Sequence, residues 1–218
     1  MKISCPKLWQ GGTVFILGGG PSFNLEKEKN ISLIKDKRVI GTNVAYTLGD
    51  WIDIVWFGDL KFWRYHKARL REYPSLVMTC NDNTTLNEYT WLKQLRRKGS
   101  ATGICTDRRY VCWNRNTGSS AINLAYHLGA KRVVLLGFDM KEVAKEKHED
   151  GRPIKNWHDV HKKYETRKMQ ESLGCYKRYL KCMPDIKRDA DKLGLEIINA
   201  TPNSAIVQFP FAKLEDLV

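Results

Sequence analysis

Six short apolar runs, each closing on small or polar residues, recur along this chain of 218 residues: TVFILG (13–18), KRVIGTN (37–43), DIVWFGD (53–59), SLVMTC (75–80), RVVLLGFD (132–139) and LEIINAT (195–201). Near-continuous apolarity, rather than alternation, is what a strand needs when both faces of its sheet are covered. Stretches with helical spacing lie between these runs. From Ser119 to Gly129, the residues Ala121, Leu124, Ala125 and Leu128 stand at i, i+3, i+4 and i+7, and Gly129 ends the pattern as a helix stop. Lys61 to Glu72 is amphipathic and basic, and Arg167 to Leu193 is broken at Pro184, which gives two helices or one kinked helix. Strands alternating with helices predict an α/β fold of Rossmann-like type. The expected chain is one nucleotide-binding domain over residues 1–218, a mostly parallel sheet flanked by helices, with the polar segment 141–166 inserted as a lid or loop.

Hydrophobic residues make up 42% of the sequence, enough for one sizeable core. No apolar run approaches the roughly 20 residues of a membrane span, and the opening residues do not read as a signal peptide, so a soluble cytoplasmic protein is expected. The six cysteines include no CxxC pair, which favours free thiols over disulfides or a zinc site. Charge is the outlying property: 37 Lys and Arg face 24 Asp and Glu, a net +13, which points to an anionic substrate, a polyanionic partner, or both.

The first run ends in Gly18, Gly19 and Gly20, followed by Pro21 and Ser22. At the carboxyl edge of a parallel sheet, where ligands of such folds bind, bare glycines allow a tight turn and backbone amides that can hold a phosphate. A turn that needs only positive φ explains the same residues. The string is neither the dinucleotide fingerprint G-x-G-x-x-G nor a phosphate loop. Three other strand ends would carry Asn43, Asp59 and Asp139 to the same edge, and Asn offers both a donor and an acceptor for a base or ribose. Asn116, Thr117, Gly118, Ser119 and Ser120 crowd the start of a helix, more polar groups than one N-cap requires, so a phosphate or ribose contact is expected there.

Together, ILGGGPSF, GTNVAY, NTGSSAINLAYHLGAKRVVLLGFDM and NATPNSAIVQF resemble the bacterial sialyltransferase family, whose Rossmann-like domain binds a cytidine-monophosphate sugar. They also resemble related phage and bacterial proteins that include a pterin pyrophosphokinase branch. The resemblance implies that Gly18 to Ser22 wrap phosphate and ribose and that Asn43 contacts the nucleotide. It further implies that Thr117 and Gly118 line the pocket and that Pro202, Asn203 and Ser204 form a loop near it. In that family a lid-side histidine is the general base and a tyrosine pair supports the leaving phosphate. Here Lys141 follows GFDM where the family has a tyrosine, and NWHDVHKKY offers two histidines, His158 and His161, with Asp159 as an orienting carboxylate.

The expected function is therefore glycosyl transfer from a CMP- or UDP-linked sugar to a hydroxyl acceptor, with His158 or His161 and Asp139 as catalytic groups. The basic, aromatic runs KFWRYHKARLR, KQLRRK and RRYVCWNR suit a nucleic-acid acceptor, such as phage DNA modified in the host cytoplasm. Solvated helix faces over core aromatics account for each run taken singly. Two other classes stay open: a pterin-type pyrophosphokinase using ATP and magnesium held by Asp59 and Asp139, and a non-catalytic nucleotide- or nucleic-acid-binding module.

Overall fold

The computed structural model describes residues 2–141 and 174–218. The polar insertion, His158, Asp159 and His161 lie outside the described residues.

Nine strands are described: β1 (Thr13–Leu17), β2 (Arg38–Thr42), β3 (Ile54–Phe57), β4 (Leu76–Thr79), β5 (Lys93–Gln94), β6 (Arg96–Lys98), β7 (Tyr110–Cys112), β8 (Arg132–Leu136) and β9 (Glu196–Asn199). Five helices accompany them: α1 (Lys27–Ile34), α2 (Leu60–Arg71), α3 (Thr117–His127), α4 (Gly174–Leu180) and α5 (Met183–Leu193). Seven strands form one sheet in the order β5-β4-β3-β2-β1-β8-β9, and every described pairing in it is parallel. The chain thus winds outward from β1 to β5, returns to place β8 on the other side of β1, and continues to β9. The junction of β1 and β8 is the topological switch point, beyond whose carboxyl edge a crevice opens.

Both faces of the sheet are covered, as the apolar runs require. Val14 and Ile16 of β1 pack with Ala121, Leu124, Leu128, Met183 and Ile186 from α3 and α5, whereas Phe15 and Leu17 pack with Phe23, Ile34 and Leu214 on the opposite face. Further along, Trp56 and Met78 join the first face, and Val55, Phe57 and Val77 meet Phe62, Trp63 and Leu70 of α2 on the other. Each such buried side chain contributes about 1.5–3 kcal/mol relative to exposure.

Pro184 lies in the first turn of α5, where its missing N–H has no helical partner to lose, so Arg167–Leu193 holds two separate helices in its described part. Gly194, at φ 64°, closes α5 in the left-handed conformation. The basic runs KQLRRK and RRYVCWNR are not helix faces. They supply β5, β6 and β7, with Arg96, Arg97 and Lys98 in register with Tyr110, Val111 and Cys112 in a two-stranded parallel ribbon outside the main sheet. All six cysteines are free thiols. Among the described residues no helix is long and apolar enough to cross a membrane.

Candidate functional site

A cleft of about 560 Å³ opens at the carboxyl edge of the sheet, along the ends of β1, β2, β3 and β8 and the start of α3. Gly18, Gly19, Gly20, Asn43, Asp59, Asn116, Thr117, Gly118 and Asp139 all line it. The sheet therefore brings together residues that stand far apart in sequence.

The glycine turn lines the cleft and is also drawn against the end of β8. Gly18 N–H donates to the Leu136 carbonyl at 2.8 Å, and Gly20 N–H to the Gly137 carbonyl at 2.7 Å. A Cβ on Gly18 would lie 2.4 Å from the Gly137 oxygen, and one on Gly20 only 1.8 Å from Asp139 Oδ2. The bare backbone is thus demanded by the contact between two strand ends, and two of its three glycine amides are engaged there. Pro21, itself buried, begins a 3-10 turn (Pro21–Glu26) and does not line the cleft.

Asp139 anchors this contact. It is 3% exposed, Ser22 N–H donates to its Oδ1 at 3.2 Å, and Ser22 Oγ–H donates to its Oδ2 at 2.8 Å. Burial pushes the carboxyl upward from its ordinary pKa, opposed by the Ser22 donors and by the charge of Lys141. A carboxylate tied in this way holds the two strand-end turns together where it lines the cleft.

At the head of α3 most of the polar surplus is consumed by structure. Asn116 is the N-cap: its Oδ1 accepts from Ser119 N–H at 2.8 Å and its Nδ2 donates to Ser119 Oγ at 2.7 Å. Ser119 is fully buried and does not reach the cleft. Ser120 Oγ donates to the Thr117 carbonyl and accepts from Trp56 Nε1, which pins the helix start to β3. Gly118 admits the Phe138 ring, since a Cβ there would stand 2.9 Å from Phe138 Cε1.

Thr117 is the exception. It is 5% exposed, and its buried Oγ1 has no hydrogen-bond partner. The Thr117 and Gly118 amides, the first two of the helix, also make no hydrogen bond among the described residues, because Asn116 satisfies only the two that follow. Three unpartnered donors therefore belong to the first two residues of an 11-residue helix, both on the cleft wall at its positive end. Asn43 adds a buried Oδ1 without a partner, held by a backbone at φ 52° that turns the chain out of β2.

The Pro202–Ser204 loop packs behind the turn that follows β8. Pro202 and Asn203 line a second groove of about 920 Å³, with Ser22, Phe23 and Phe211. Ser204 braces the β8 turn by donating to the Phe138 carbonyl at 2.5 Å. Ser204 thus touches Phe138, and Ala205 N–H donates to the Asp139 carbonyl, so the loop packs against two residues that line the first cleft.

Thr42, Trp113 and Arg115, on the cleft as well, lie in runs noted above for other reasons, whereas three further cleft residues carried no sequence signal: Tyr176, Arg178 and Tyr179. The last three come from α4, and the Arg178 guanidinium lies 5.5 Å from the Tyr179 ring centre. Burial raises the Tyr179 hydroxyl above its ordinary pKa, keeping it a neutral donor. Asp59 and Asp139, the expected magnesium pair, line the same cleft; among the described residues no group of three or more His, Cys, Asp or Glu side chains forms a metal-ligand cluster.

No protein-family profile matches the chain, and no curated protein matches it. Among solved structures it is similar to the MAf glycosyltransferase from Magnetospirillum magneticum AMB-1, with a TM-score of 0.63 and 15% identity. The match covers 99% of this chain and 36% of that one, so the chain spans about a third of that neighbour's length. At this identity the likeness shows the fold.

Proposed function

We propose that the chain is a transferase that binds a nucleotide-activated sugar, CMP- or UDP-linked, in the switch-point cleft and passes the sugar to a hydroxyl acceptor. The observation that carries this reading is the unpartnered Thr117 Oγ1 beside the two unpartnered amides at the head of α3. A buried hydroxyl without a partner is costly, and a phosphate or ribose oxygen bound at this helix start would accept from it and from the two amides. The glycosyltransferase named in the fold neighbour supports the same reaction class.

In this reading the acceptor oxygen attacks the anomeric carbon, the bond from that carbon to the phosphate oxygen breaks, and the nucleotide leaves with the bonding pair. The acceptor proton passes to His158 or His161, oriented by Asp159. Arg115, Arg178 and the Tyr179 hydroxyl lie on the cleft to meet the charge that develops on the departing phosphate. Asn43 Oδ1 accepts from a base or ribose donor. Around the Tyr110 ring stand Arg96, Lys98 and Arg109, at 5.6, 5.5 and 5.9 Å, on the ribbon that leads into the cleft at Gly99 and Trp113. That cationic strip supports a polyanionic acceptor such as DNA.

Thermal-shift titration with CMP, UDP, and ATP with magnesium tests the reading. Stabilisation by CMP or UDP is expected. Stabilisation by ATP with magnesium alone would replace it with pyrophosphoryl transfer, and no response to any nucleotide would end it. Sugar transfer that survives alanine at both His158 and His161 would remove the assigned base. DNA binding that is absent even at low salt would remove the polyanionic acceptor.

A further inference from the structure

Trp113 is held more firmly than a cleft-lining side chain needs to be for packing alone. Its N–H donates to the Lys98 carbonyl and its own carbonyl accepts from Asn116 N–H, both at 3.3 Å, so the backbone is fixed on either side of the indole. The Arg97 guanidinium lies 3.8 Å from the ring centre and closes one face. That guanidinium is itself clamped: Arg97 Nε donates to the Cys80 carbonyl at 3.0 Å, and Nη2 donates to the Gly58 carbonyl. Gly58 also meets the ring edge, where a Cβ would come within 2.2 Å of Trp113 Cζ3. Trp113 is partly buried against the main core, and the part left uncovered lines the cleft, with no aromatic ring contact to it among the described residues.

We infer that Trp113 is a stacking platform for the planar heteroaromatic base of the nucleotide, backed by Arg97. This rests on the nucleotide-binding reading and goes further by assigning the base subsite. An indole fixed before the ligand arrives loses little freedom on binding, and a flat apolar face accepts any base without reading its edges. Trp113 precedes the anion-facing Thr117 by four residues, so their Cα atoms are at most about 14 Å apart even along extended chain. The Trp113 carbonyl bond to Asn116 folds that stretch into a turn, which brings the two ends closer. A ligand joining a ring to a phosphate spans such a distance, whereas inorganic phosphate or a phosphosugar would leave the indole uncovered.

Calorimetry with CMP and UMP, set against ribose 5-phosphate, tests the assignment on the full chain. In Trp113→Leu, affinity for the nucleoside monophosphates should fall on the order of 10- to 100-fold, with ribose 5-phosphate unchanged. Trp113→Phe should lose less, and Arg97→Lys, which keeps the charge but not the two-point clamp, should fall between wild type and Trp113→Leu. The phenylalanine and lysine variants carry the test if the leucine variant fails to fold. Equal loss for ribose 5-phosphate, or unchanged nucleotide affinity in all three variants, overturns the platform while leaving nucleotide binding intact. A wild-type protein that binds no nucleotide overturns the functional reading itself.

Discussion

Ser22 gives both its amide and its hydroxyl to the Asp139 carboxylate, at 3.2 and 2.8 Å, and so laces the turn after β1 to the turn after β8. These turns flank the switch point, and both line the cleft.

Asp139→Ala should therefore cost about 2–3 kcal/mol in denaturant unfolding, because it strands two buried donors at Ser22. Asp139→Asn should cost less and should change the pH dependence. The wild-type carboxyl is raised by burial, so its contribution is fully present below its ordinary value of 3.8 and is lost as pH rises through the higher folded value. The asparagine variant should lack that loss when stability is followed from acid to neutral pH.

Gly20→Ala should destabilise the protein by at least about 2 kcal/mol, since the new methyl would meet Asp139 Oδ2 and the Gly137 carbonyl. Gly99→Ala, also on the cleft but with nothing within 4 Å of its Cβ position, should stay within about 0.5 kcal/mol of wild type. Chemical denaturation of the pair separates steric closure of the glycine turn from a general intolerance of the cleft.

Thr117→Val removes the unpartnered hydroxyl and keeps the shape. Stability should stay within about 0.5 kcal/mol of wild type or rise, whereas affinity for the bound nucleotide should fall about tenfold or more. Melting temperature and calorimetric Kd, measured on the same preparation, would show the two properties moving independently. A parallel loss of both would mark Thr117 as a packing residue.

His127 supplies a second pH signature. Its Nε2 lies 2.7 Å from the Tyr110 carbonyl and so must carry the proton and donate, while the buried Nδ1 has no partner. Charging the ring would bury a second N–H without an acceptor, and burial holds its pKa below the ordinary 6.5. A base with a depressed folded pKa gives stability that is present above 6.5 and is lost as pH falls towards the folded value. Melting temperature should drop as pH falls below 6.5, and His127→Gln should flatten that drop.

Legibility in the sequence followed the physics of each element. The six apolar runs all became strands of the main sheet, because strands covered on both faces need unbroken hydrophobic residues. The β5, β6 and β7 segments, of two or three residues each, are too short to show a period, and their Lys and Arg content reads as solvated surface until Tyr110 and Val111 are seen opposite. Helix α1 opens with Lys27, Glu28, Lys29 and Asn30 and buries only Ile34, so it shows almost no amphipathic stripe. In the cleft, strand-end residues such as Asn43 and Asp59 could be anticipated, since a parallel sheet sends its strand ends to one edge. The contributions of Trp113 and of α4 depend on packing between remote segments, which no local pattern encodes. Ser22, Ser119 and Gly118 were visible as unusual residues, but whether they face a ligand or one another is a question only the tertiary contacts answer.

The interior position of β1 in the sheet, between β2 and β8, bears on how the nascent chain matures. Its partner on one side, β2, is synthesised about two dozen residues later, but the edge that β8 covers stays bare until residues 132–136 have left the ribosome. During that interval an apolar strand with unpaired amides and carbonyls is a template for other chains. Conditions that stall elongation between the two segments should therefore favour aggregation, and chaperone dependence should fall sharply once β8 can dock.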